Sequence, residues 1–75
     1  MTQAEAFEKL AARLEHARRE HPKFAPNAGD AWWVIQEELA ELGHAIDNEG
    51  PDRVIDEAMD VAATAMRLVM GEVQE

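Results

Sequence analysis

Apolar residues recur along this chain at three- and four-residue spacing, and each such stretch predicts a helix. Phe7, Leu10, Ala11, Leu14 and Ala17 share one face of a first helix over about residues 3–20. Thr2 stands at its N-cap with Glu5 at the capping-box spacing, and Pro22 follows its end. The linker HPKFAPNAG favours turns, with Phe24 placed to pin it to the body. Asp30 is the expected cap of a second helix over about 31–48, whose apolar sector holds Ala31, Val34, Ile35, Leu39, Leu42, Ala45 and Ile46. NEGP then supplies a glycine that tolerates the left-handed conformation and a proline suited to a helix's first turn. A third helix over about 52–71 has apolar positions from Val54 to Met70 covering roughly 200° of the helical wheel, more than one neighbour covers.

No stretch alternates with period two, so the fold class is all-α: one domain, 1–75, forming a short helical bundle around a central antiparallel hairpin of the second and third helices. A chain of 75 residues buries a smaller fraction of its surface than a larger one does, so the bundle is expected to be completed by oligomerisation, as a homodimer or homotetramer. Met59, Met66 and Met70 read as core or interface filler.

One charge breaks the pattern of the second helix. Glu38 projects from inside the apolar sector, where a bare carboxylate is costly. Glu37 and Glu41 lie beside it, all three within about 100° of the wheel. On the third helix Glu57 and Asp60 are spaced i, i+3 along the border of the apolar face. Across a hairpin turning near Gly50, Glu41 and Glu57 fall at nearly one height, with Glu38 and Asp60 about a turn further along. Carboxylates brought this close raise one another's pKa or repel, unless a cation sits among them. Carboxylate oxygens suit Mg²⁺, or Mn²⁺. The bland reading is a solvated acidic face, the usual state of paired glutamates in helices. Without a metal, repulsion predicts that replacing either Glu38 or Asp60 by Ala leaves the melting temperature unchanged or higher.

Charge distribution sharpens this picture. The net charge is -9, and residues 37 to 60 hold nine acids against Arg53 alone. That balance argues against nucleic acid as a partner. No cysteine is present, which removes disulfides and thiolate ligands, and no run reaches the length of a membrane span, so no membrane partner and a cytoplasmic location are expected.

Taken together, Glu37, Glu38, Glu41, Glu57 and Asp60 resemble the paired EExxE and ExxD motifs of the MazG-like all-alpha nucleoside triphosphate pyrophosphohydrolases, over about residues 32–68. The resemblance implies Mg²⁺-dependent cleavage of a nucleoside triphosphate between its α and β phosphates, giving a monophosphate and pyrophosphate. It implies Glu38, Glu41, Glu57 and Asp60 as metal ligands. It also implies Glu37, Glu38 and Glu41 as the catalytic carboxylates, with Glu37 a ligand or an outer base. Family domains usually carry a fourth helix, which a partner subunit would replace here. Phosphate chemistry also recruits basic groups. Arg67, seven residues beyond Asp60, and Lys23 in the linker are the candidates, and Trp32 or Trp33 can stack on a base. The alternative is a non-enzymatic acidic helical protein serving as an oligomeric or partner-binding module. His16, His21 and His44 read as surface or helix-end residues.

Overall fold

The computed structural model describes residues 1–73, and among them the chain forms three helices and no strand. Helix α1 spans Gln3–Glu20, α2 Ala28–Asn48 and α3 Pro51–Val69. The α1 capping box is formed as the sequence predicts: Glu5 N–H donates to Thr2 Oγ1 and Thr2 N–H donates to Glu5 Oε1, both at 3.2 Å. Helix α2 begins earlier than expected because Asn27, rather than Asp30, is its N-cap. The Asn27 side chain accepts from Asp30 N–H at 2.8 Å, which puts Asp30 in the first turn.

Gly50 is not left-handed; at φ -87 it is the N-cap of α3, with Pro51 opening the helix. The left-handed glycine is Gly71, at φ +73, just beyond the C-cap Met70. There Gly71 N–H donates to Leu68 O at 3.0 Å and Glu72 N–H to Arg67 O at 2.9 Å. This is a Schellman closure, and it ends α3 two residues before the expected position while folding Glu72 back along the helix.

Helix α3 packs against both other helices, whereas no Cα of α1 lies within 8 Å of one in α2. The two outer helices therefore flank α3 and leave a groove between them. A bridge from Ala25 to Val73 ties the linker to the chain after α3.

The core differs from the one the apolar pattern suggests. Its buried hydrophobic residues are Leu14 and four alanines, and the buried face of α3 is Glu57, Ala63, Thr64 and Arg67. Phe7 is 61% exposed, Leu39 46%, Ile46 61% and Val69 79%. Small and polar side chains allow α1 to approach α3 closely, and much of the large apolar surface of α2 and α3 is left open. No helix among the described residues is long and apolar enough to cross a membrane.

Candidate metal centre

Glu38 and Glu41 sit one turn apart on α2, and Glu57 reaches them from α3. One carboxylate oxygen from each lies within 4.8 Å of the others. Glu57 is buried, Glu38 half-buried and Glu41 exposed, so the cluster has a closed side and a wet side. Glu38 Oε2 and Glu57 Oε2 are both buried without a hydrogen-bond partner among the described residues. Burial, reinforced by the negative charges of Glu41, Asp60 and Glu57, pushes the Glu38 carboxyl up to about 7. Burial and Asp60 likewise raise Glu57, opposed by Arg53, whose Nη2 donates to Glu57 Oε1 at 2.6 Å. Two orphaned buried oxygens on carboxylates that meet a third carboxylate fit the chemistry of a divalent cation, which Glu38, Glu41 and Glu57 would hold.

Asp60 is not part of this group. Its carboxylate is held by a fork of two bonds from Arg13 on α1, Nε to Oδ1 and Nη2 to Oδ2 at 2.9 Å. Arg13 escaped the reading of the sequence although a signal was there. It falls three residues after Leu10 and four before Ala17, about 40° beyond Ala17 at the border of the apolar stripe of α1, where a charged side chain can still reach a neighbouring helix.

Glu38 and Asp60 also border a cavity of about 430 Å³ in the groove between α1 and α2, floored by Ala63 and Thr64 of α3 and closed at one end by the linker. Glu37, Lys23 and Arg67 line it as well. The Arg67 guanidinium is already engaged: it is 3% exposed, donates from Nε to Glu72 Oε1 at 2.9 Å, and lies 5.0 Å above the Phe24 ring. Arg18 donates to the same Glu72 carboxylate, and together they hold it below its ordinary value. Trp32 and Trp33, 55% and 64% exposed, do not line this cavity, and neither reaches the core. Asn27 is occupied as a cap, while His16 and His21 border the cavity. On the opposite side of the cluster, Glu41 and Glu57 line a second cavity with His44, Glu49 and Arg53.

The fold and the cluster define a small three-helix protein with a candidate carboxylate metal centre at the contact of two helices. Comparison with protein-family models, curated proteins and solved structures gives no match to this chain.

Proposed function

We propose that this chain is a metal-dependent nucleoside triphosphate pyrophosphohydrolase, cleaving between the α and β phosphates to give a nucleoside monophosphate and pyrophosphate. The observation that carries the reading is the meeting of Glu38, Glu41 and Glu57 with two buried, unpartnered oxygens among them. The cleavage position rests on the resemblance to the EExxE and ExxD motifs. Mg²⁺ is the proposed ion and Mn²⁺ its substitute. When bound, such an ion neutralises phosphate oxygens and acidifies a coordinated water. Glu38, Glu41 and Glu57 hold it, and Asp60 adds negative charge from beside them. Glu37, exposed at the cavity's edge, is the group to orient the water and take its proton. The water oxygen bonds to the α phosphorus as the bond from that phosphorus to the bridging oxygen breaks, and pyrophosphate leaves. Trp33, which is exposed, offers an indole face for a base.

Assembly belongs to the same proposal, with α2 and α3 as an antiparallel hairpin completed by a second copy in a homodimer or homotetramer. Trp32, Ile35, Leu39, Leu42 and Ile46 follow a heptad spacing on α2, and Ile55, Met59, Ala62, Met66 and Val69 follow one on α3. Most of these side chains are exposed or half-buried. The accessible surface is 5160 Å², against roughly 4,600 Å² expected of a compact monomer with this mass. A symmetric pairing of the two stripes removes the excess.

The deciding assay is incubation of purified protein and Mg²⁺ with canonical, deoxy and damaged triphosphates, the products being separated by ion exchange. Monophosphate and pyrophosphate in equal amounts support the proposal. Failure of a metal-loaded oligomer to turn over any triphosphate overturns it in favour of the second reading, a metal-stabilised helical assembly module, which the exposed stripes favour.

A further inference from the structure

Three of the seven Lys and Arg side chains of this acidic protein, Arg13, Lys23 and Arg67, line the groove cavity that Glu38 borders. Their availability differs. Arg67 is spent on Glu72 and Phe24. Arg18 also serves Glu72, Arg53 serves Glu49 and Glu57, and Arg19 faces Glu15 at 3.9 Å. Lys23 is exposed and makes no ion pair among the described residues. Arg13 uses Nε and one Nη2 hydrogen on Asp60, which leaves three of its five N–H donors for another acceptor. The Asp60 fork also fixes the plane of the guanidinium, so that an anion meeting it finds donors already oriented.

Glu38 belongs to both features, as a member of the carboxylate cluster and as part of the cavity wall. The cavity that Glu38 borders is thus also lined by Arg13. A chain with net charge -9 repels free anions, so retention of a polyphosphate here needs local cations beyond any metal. The cavity volume falls within the range of small-ligand sites.

We infer that Arg13, oriented by Asp60, and Lys23 form a polyphosphate subsite at the α1 side of the groove, which holds the pyrophosphate end of the substrate. In its substrate assignment this rests on the pyrophosphohydrolase reading. The geometry assigns Asp60 a positioning role toward Arg13. The subsite retains the two phosphates that leave, so free pyrophosphate competes with substrate.

The test is calorimetric titration of inorganic tripolyphosphate, with and without Mg²⁺, into wild type, Arg13→Lys and Lys23→Ala, alongside Mn²⁺ titration of the same proteins. The expected result is a loss of about tenfold or more in tripolyphosphate affinity in each variant, because lysine cannot reproduce the guanidinium fork, with Mn²⁺ affinity unchanged. Lys23→Ala lies in an exposed linker and guards against a folding defect in the Arg13 variant. Wild-type tripolyphosphate affinity in both variants overturns the subsite, as does absence of binding to wild type under either condition. Loss of Mn²⁺ binding with Arg13-dependent tripolyphosphate binding retained supports the subsite while removing the metal reading.

Discussion

Arg13 and Asp60, 47 positions apart, are joined by a two-pronged hydrogen bond that crosses from α1 to α3. Each side chain is about a third or less exposed, so the pair is only partly screened. This contact changes what removal of Asp60 does. Repulsion among the acids predicts relief, but Asp60 already has a cation.

Asp60→Ala and Arg13→Ala each lower the melting temperature of the metal-free protein, by roughly 1 kcal/mol of stability. Thermal unfolding of both single variants and the double variant measures the coupling. Additive effects would mean that the fork contributes nothing as a pair.

Glu38→Gln acts in the opposite direction. The folded-state value of about 7 stands above the ordinary 4.5, so the folded protein holds this proton more tightly than the unfolded chain does. Stability from this group is present below about pH 4.5 and is lost as pH rises to about 7. At pH 8 without metal, the glutamine variant is therefore more stable, by roughly 2 kcal/mol. Denaturant unfolding between pH 5 and 8 checks this, roughly spanning the affected window. An unchanged pH slope in the variant would show that Glu38 ionises normally.

On the proposed reading Mn²⁺ or Mg²⁺ raises the melting temperature, an ion held by the assembled carboxylates having no equivalent site in the unfolded chain. At one hundred times the dissociation constant the gain is about 2.7 kcal/mol. Glu41→Gln removes the effect, and lowering the pH toward 5 weakens it as Glu38 takes up a proton. A metal-induced shift that survives in Glu41→Gln would place the ion elsewhere.

Leu39→Glu and Ile46→Glu abolish the proposed assembly without unfolding the subunit, since both side chains are solvent-exposed within one chain. Sedimentation equilibrium at micromolar protein distinguishes the states. A monomeric wild type would remove the assembly from the proposal.

Glu72→Ala leaves the buried Arg67 guanidinium without its carboxylate, which costs about 2 kcal/mol or more, and it also cuts Arg18 loose. Urea unfolding reads this directly. The Glu72 carboxyl is depressed when folded, so its contribution is present above the ordinary carboxylate range and fades as pH falls through the folded value.

By itself the sequence determined the three helices, the Thr2 cap and the position of Pro51 at a helix start, because these follow from periodicity and from local hydrogen bonding within a few residues. It also marked Glu38 as a charge out of place, and it foretold that Glu38, Glu41 and Glu57 meet, since helical rise fixes heights on two helices joined by a short turn. Only the tertiary structure decided that Asp60 turns to Arg13, a partner from α1 whose approach no local pattern specifies. Arg67 reaches Glu72 through the local turn at Gly71, but its burial against Phe24 and Ala17 also waits for the helices to pack. The tertiary structure also decided which face of α3 is covered. Apolar width showed that more than one neighbour was needed, but the small and polar face of Ala63, Thr64 and Arg67 took α1. Close backbone approach and a buried guanidinium network compete there with apolar burial, and their balance depends on side chains that meet only when the helices pack.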